Sequence, residues 1–225
     1  MTEIKKAVVL APHPDDDVLG CGGTIRKLAD AGWEITTVYL TNGDAGSLNY
    51  SKEELAALRE KEARAASDVL GVKDVVYLRN PDGYLEYTTD NLIQLINLIR
   101  SKKPELVLFP HKDEANEDHR VTSKLGMEAV GRAAAPCFQE CYGEPWEVKT
   151  VLAYEVWTPI QNFSYIEDIT GVKDTKLEAM KKHESQLKNY PFDEGVEGLN
   201  RFRGTMSGKG KYCEFFQVIK VDKLF

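Results

Sequence analysis

The sequence predicts an α/β protein built on a doubly wound, mostly parallel sheet flanked by helices. Three observations predict it. Short apolar runs recur along the first two thirds of the chain, stretches of helical period separate them, and glycines close several of those stretches. Ala7–Ala11 is continuously apolar and reads as a strand buried on both faces. Val18–Ala31 sets Val18, Leu19, Ile25, Leu28 and Ala29 at helical positions and stops at Gly32. Ile35–Leu40 is β-branched and aromatic, a second strand. Ser51 with Glu54 three residues on is a capping box for a helix from Lys52 to Leu70, closed by Gly71. Val75–Leu78 is the third strand, followed by a helix capped at Thr89 or Asp90 and carrying Ile93, Ile96, Leu98 and Ile99. Leu106–Phe109, a helix over Asp118–Ala134 and a strand over Val151–Val156 complete the alternation. Beyond about Pro159 the pattern loosens into a less regular C-terminal extension. Asp174–Asn189 is predicted helical, Tyr190–Lys211 a long loop with Pro191 and five glycines, and Cys213–Val221 a last strand. No repeat, low-complexity tract or linker interrupts the pattern, so residues 1–225 read as one domain.

Composition narrows the classes of function. The 225 residues are 42% hydrophobic and 29% charged, ordinary for a globular domain. No apolar run approaches the roughly 18–20 residues of a membrane span. A net charge of −7 and a pI near 5.3 argue against nucleic acid or acidic lipid as partner. Met1–Lys6 lead straight into a strand with no signal-peptide pattern. Cys21, Cys137, Cys141 and Cys213 show no Cys-x-x-Cys pair and no disulfide spacing; Cys137 and Cys141 lack the second pair a zinc clip needs. The expected location is therefore the cytoplasm, with free thiols.

Chemistry concentrates in two segments. Pro12-His13-Pro14-Asp15-Asp16-Asp17 follows the first strand, and Pro110-His111-Lys112-Asp113-Glu114-Ala115-Asn116-Glu117-Asp118-His119-Arg120 follows the fourth. In a sheet of order 3-2-1-4-5, strands one and four are neighbours, and their carboxyl ends open the crevice where ligands bind. Two loops a hundred residues apart would meet there. If the backbone turns helical after Pro14, His13 and Asp16 face the same way. His119 at the start of the next helix completes a His-Asp-His set, which leaves a metal with an open position for water. Asp15 then points elsewhere, free to take a proton from that water. A solvated helix N-terminus also collects acids such as Asp15–Asp17, and His119 beside Asp118 and Arg120 suits an ion-pair cluster. The adjacency of His13 and the existence of a second such segment favour the metal.

The run Ala11-Pro12-His13-Pro14-Asp15-Asp16-Asp17, continued by Val18-Leu19-Gly20-Cys21-Gly22-Gly23-Thr24-Ile25, resembles the first signature of the PIG-L/LmbE-type zinc-dependent de-N-acetylases. Asp118-His119 resembles the second, Thr41-Asn42-Gly43-Asp44 a segment after strand two, and Arg59 with Glu62 an Arg-x-x-Glu helix. Lys176, Ala179, His183, Ser185 and Gln186 resemble a C-terminal pattern. The resemblance implies a Rossmann-like fold and Zn2+-dependent removal of an N-acetyl group from an N-acetylglucosamine-type sugar or glycoconjugate. It implies His13, Asp16 and His119 as ligands, one Zn2+ per chain (other divalent metals possible), Asp15 as general base, and Arg59 and His183 toward substrate. It also implies assembly as a homotrimer or homohexamer. Two departures stand out. Asp17 replaces a usual Glu, and Asn116 sits where the family often has a histidine. An Asn amide can polarise an oxyanion but cannot deliver a proton, so acid duty passes to Asp15 after the attack, or to His111 or His183. Asp118 matches the carboxylate that would orient the missing histidine.

Alternatives stay open on sequence alone. One is amidase action on another small amide or thiol conjugate. Another is a non-catalytic sugar- or nucleotide-binding module, which would not need His13 and His119 beside a free acid. Substrate recognition is expected in loops such as Asn80–Tyr87 and Asn189–Lys211. Gly20, Gly22 and Gly23 form no Gly-x-Gly-x-x-Gly fingerprint and suit close packing. Trp33 is read as core, and Trp146 and Trp157 as possible sugar-stacking rings.

Overall fold

The computed structural model describes residues 4–222. Its sheet runs β3-β2-β1-β4-β5-β7-β6, from β1 (Lys6–Ala11), β2 (Glu34–Thr41), β3 (Asp74–Asn80), β4 (Leu106–Pro110), β5 (Thr150–Tyr154), β6 (Tyr165–Asp168) and β7 (Cys213–Val221). The first five strands pair in parallel in the predicted order; β7 returns antiparallel against β5 and β6. Strand β1 is interior, between β2 and β4, and its side chains alternate between two cores. Val8 and Leu10 face α3 (Thr89–Lys102) and α4 (Glu117–Ala133), while Ala7 and Val9 face α1 (Asp16–Asp30) and α2 (Lys52–Leu70). Burial on both faces is why the strand reads as an unbroken apolar run.

Local chemistry sets the helix ends. The Ser51–Glu54 capping box is formed at α2, and Gly71 closes it at φ 81°. Thr88 rather than Thr89 caps α3, its side chain accepting from Asn91 N. Helix α1 starts at Asp16, two residues before the predicted Val18, and is broken by non-helical φ/ψ at Cys21. The Glu214 carboxylate receives the N–H groups of Gly23 and Thr24, each at 2.8 Å, and so caps the segment beyond the break. A Cβ on Gly20 would lie 2.2 Å from the Tyr154 ring, which confirms close helix–strand packing there.

The C-terminal third differs from expectation. The predicted helix Asp174–Asn189 is two, α5 (Lys173–Met180) and α6 (Glu184–Leu187), separated at His183 with φ −84° and ψ 54°. Residues 190–211, read as a loop, contain the 16-residue helix α7 (Phe192–Ser207). Its glycines hide it, since each costs about 1 kcal/mol against alanine in a helix interior. Tertiary bonds compensate. Asn200 Nδ2 donates to Cys213 O at 3.0 Å, and Arg203 pairs with the buried Glu155. Strand β6 was not anticipated. No helix among the described residues is long and apolar enough to cross a membrane.

Candidate active site

The loops after β1 and β4 meet at the carboxyl ends of the parallel strands. His13, Asp16 and His119 are buried and present ligand atoms that all lie within 4.8 Å of one another. His13 Nδ1 lies 3.0 Å from Asp16 Oδ2, and His119 Nε2 lies 3.2 Å from the same oxygen. The second contact lacks hydrogen-bond geometry: both ring nitrogens of His119 and Oδ1 of Asp16 are buried without a partner among the described residues. Orphaned polar atoms at this depth are costly. Two imidazoles and a carboxylate whose ligand atoms cluster within 4.8 Å are donor types that suit a divalent metal, so these residues fit one.

Carboxylates surround the histidines. His13 Nε2 is 3.1 Å from both Asp118 Oδ2 and Asp82 Oδ1. Asp118 also accepts from Gly83 N at 2.7 Å and Leu85 N at 3.1 Å, so it is anchored to the loop after β3. His13, Asp82 and Asp118 form a second cluster of ligand atoms, but here both Asp118 oxygens already hold backbone N–H groups. Glu114 Oε2 approaches His119 Nδ1 at 3.7 Å and accepts Trp157 N at 3.2 Å, while its Oε1 takes Val156 N at 2.7 Å. A carboxylate behind each histidine orients the ring, the arrangement seen in outer shells of metal sites.

Charge follows from these contacts. Burial works to lower the His13 pKa, but Asp118, Asp16 and Asp82 outweigh it and hold the ring well above its ordinary value. Burial works to raise Asp16, but His119 and His13 hold it below the usual carboxylate range. Asp15 behaves differently. Burial pushes it up to about 6 against the pull of Arg59, whose Nη2 lies 3.0 Å from Asp15 Oδ1. Asp17, hydrogen-bonded by the Tyr39 hydroxyl at 3.1 Å, is pushed by burial to about 7.

Arg59 enters from α2 and donates to Gly43 O at 3.1 Å and Pro14 O at 3.0 Å. Gly43 sits at φ +67°, and a Cβ there would be 2.6 Å from Arg59 Nη1, so this turn requires glycine. Glu62, one turn on, takes Ser185 N at 2.7 Å and Ser185 Oγ at 2.6 Å and latches α6 onto α2. His183 is thereby brought close enough to feel Arg59 and Asp16. It is wholly buried, both ring nitrogens lack partners among the described residues, and burial with Arg59 repulsion lowers its pKa to about 3.

Three predicted positions take unexpected partners. Asn116 caps α4, its Oδ1 accepting Asp118 N at 2.8 Å, and its Nδ2 donates to no other described residue. Asp118 reaches His13 rather than Asn116. His111 lies 2.8 Å from Thr158 O through Nε2 and receives Asp113 N at Nδ1, so both nitrogens are engaged. Sequence reasoning missed Asp82 and Glu114 as partners of the histidines. Glu114 lay in the second acidic segment and Asp82 in the loop after β3, both at the carboxyl end of the sheet.

Fold and site together define a doubly wound α/β protein with a buried His-Asp-His cluster at its switch point that could hold a metal ion. The chain belongs to the PIG-L family, GlcNAc-PI de-N-acetylase, which it matches over residues 8–130. It is 35% identical over 194 residues to the diacetylchitobiose deacetylase of Thermococcus kodakarensis, spanning 82% of this chain and 71% of that one. The structure of N,N'-diacetylchitobiose deacetylase from Pyrococcus horikoshii superposes with TM-score 0.86 at 31% identity, covering 96% of this chain and 84% of that one. The 4-carboxy-2-hydroxymuconate hydratase from Pseudomonas putida superposes with TM-score 0.83 at 25% identity, covering 96% of each chain.

Proposed function

We propose that this protein is a metal-dependent hydrolase, zinc by preference, that removes the acetyl group from an N-acetylglucosamine-type sugar and releases acetate. The carrying observation is the buried His13-Asp16-His119 cluster with Asp15 alongside, in which Asp16 Oδ1 and both His119 nitrogens have no partner among the described residues. His13, Asp16 and His119 would hold the ion, which would supply acidity to a water and polarise the acyl oxygen. Asp15, ionised at neutral pH, takes a proton from the attacking water. Asn116 Nδ2 donates to the acyl oxygen as negative charge develops there. Asp15 then returns the proton to the departing amine nitrogen, since both His111 nitrogens are engaged and His183 holds no proton to give at neutral pH. Asp118 and Glu114 orient the histidines, while Arg59 and His183 border the substrate space. The four cysteines are free, three of them buried, which supports a reducing compartment such as the cytoplasm. The same reading takes residues 1–225 as one deacetylase domain and its assembly as a homotrimer or homohexamer, checked by light scattering.

The test is acetate release from N-acetylglucosamine and N,N'-diacetylchitobiose by zinc-loaded protein. Replacing Asp15 by Asn is expected to cut turnover by about 10²–10⁴-fold with metal content unchanged. Equal rates in both proteins overturn the role of Asp15. No release from any N-acetylated sugar, with hydration of an unsaturated dicarboxylate instead, overturns the deacetylase reading in favour of the hydratase chemistry named for the Pseudomonas putida relative.

A further inference from the structure

His111 and Thr158 stand outside the His13-Asp16-His119 cluster, and the chemistry above uses neither. Both are tied to Glu114, the carboxylate beside His119 Nδ1. Thr158, on the loop after β5, spends all three of its polar groups on the segment after β4. Its N–H donates to Glu114 Oε2 at 3.2 Å. Its carbonyl lies 2.8 Å from His111 Nε2, and its hydroxyl accepts Ala115 N at 2.8 Å. His111 N in turn donates to Tyr154 O at 2.8 Å, at the end of β5. The two loops are laced together around one carboxylate.

The tautomer of His111 follows from its contacts. Nδ1 receives Asp113 N at 3.3 Å, so it carries a lone pair and the ring proton sits on Nε2. Thr158 O takes that proton, and Nε2 is also 3.3 Å from Glu114 Oε1. His111 is 2% and Glu114 1% exposed, so bulk water does not compete for these contacts. The same loop adds Val156 N to Oε1 and Trp157 N to Oε2, and Arg120 Nη1 fixes the Glu114 carbonyl at 2.7 Å.

This hold has a consequence at His119. Its Nε2 faces Asp16 Oδ2 at 3.2 Å, so a ring that ligates from that side keeps its proton on Nδ1. Glu114 Oε2 stands 3.7 Å from Nδ1, just beyond a hydrogen bond. A small displacement of Glu114 therefore decides whether Nδ1–H finds its acceptor.

We propose that His111 and Thr158 are positioning residues for the metal ligand His119. They clamp Glu114 beside it and so select the tautomer that ligates through Nε2. Neither touches a ligand atom; both act through Glu114. The proposal rests on the metal-binding part of the reading above and is independent of the substrate.

The test is zinc affinity by competition titration, with the cobalt(II) absorption spectrum as a second readout. His111→Asn keeps an acceptor where Nδ1 stands and loses the donor at Nε2, whereas His111→Gln keeps a donor there. His111→Asn is expected to weaken zinc roughly tenfold and to shift the cobalt bands, with His111→Gln within about twofold of wild type. Added to Glu114→Gln, His111→Asn should cost less than about twofold more, because both act through one carboxylate. Thr158→Val, which loses the acceptor for Ala115 N, should give a smaller loss that Thr158→Ser restores; this pair decides the matter if His111→Asn does not fold. Unchanged affinity in His111→Asn and Thr158→Val overturns the proposal, as do equal losses in His111→Asn and His111→Gln, or additive losses with Glu114→Gln. Lower urea stability with zinc affinity and cobalt spectrum unchanged overturns it by assigning the clamp to fold support. Wild type that binds zinc but releases no acetate sinks the deacetylase reading and leaves this proposal standing; wild type that binds no zinc overturns both.

Discussion

Two buried ionic clusters flank helix α1, and they are built in opposite ways. Glu214 is 1% exposed, and its oxygens accept Gly23 N and Thr24 N at 2.8 Å, the Thr24 hydroxyl at 2.6 Å and the Lys176 ammonium at 2.7 Å. Lys176 also donates to Leu19 O at 2.9 Å. Both charged groups have several partners within the protein. At His13, Asp16 and His119 burial is comparable, yet Asp16 Oδ1 and both His119 nitrogens have no partner among the described residues. Burial alone does not separate the two. Satisfaction does: a saturated network holds a fold together, and an unsaturated one of ligand-type atoms awaits a partner.

That contrast can be broken from either side. The largest effect is expected from His119→Ala: zinc content measured by mass spectrometry and acetate release both fall to background, while the circular dichroism of metal-free protein is retained. Unfolding by this substitution would place His119 in the structural class instead. Lys176→Met should do the reverse. Breaking a buried pair costs about 3–5 kcal/mol, because Glu214 keeps its charge without its cation. Urea denaturation reads that loss, and Glu214→Gln added to it should restore part. Protein that survives should still bind zinc stoichiometrically.

Smaller effects sharpen the outer parts of the site. Asp118→Asn keeps the shape but weakens the hold on His13 Nε2, and metal affinity by competition titration should fall about 10–100-fold. An unchanged affinity would leave Asp118 as an anchor for the loop at Gly83 and Leu85 only. The mildest perturbation is pH. Asp15 has its pKa raised to about 6, so its carboxylate, the form able to accept a proton, is lost as pH falls through that value. The acid limb of kcat/KM should decline roughly tenfold per pH unit below it. An acid limb that persists in the residual activity of Asp15→Asn would assign it to another group.

Much of this was legible before any coordinates. Strands β1 to β5 announce themselves as apolar runs, and their order follows from the doubly wound rule. His13 and Asp16 are three residues apart, close enough for local geometry to pair them, and His119 follows once β1 and β4 are neighbours. Other partners carry no such mark. Asp82 looks like a turn residue in Asn80-Pro81-Asp82-Gly83, and only the approach of β3 makes it a partner of His13. Helix α7 is obscured by Gly195, Gly198 and Gly204, of which Gly204 is needed because a Cβ there would lie 2.5 Å from the Lys211 backbone. The break at His183 shows no proline or glycine; it coincides with Ser185 being drawn onto Glu62.

By itself the sequence determined the parallel half of the sheet, the two caps of α2 and the identity of the ligand-type residues, because periodicity, capping and short spacings act over a few residues. Only the tertiary structure decided which carboxylate stands behind which histidine, how Arg59 reaches Asp15, and how the last third closes the sheet with α7 and β7. Those outcomes depend on contacts between segments tens to hundreds of residues apart. Their energies come from burial and from the pairing of groups that no local pattern brings together.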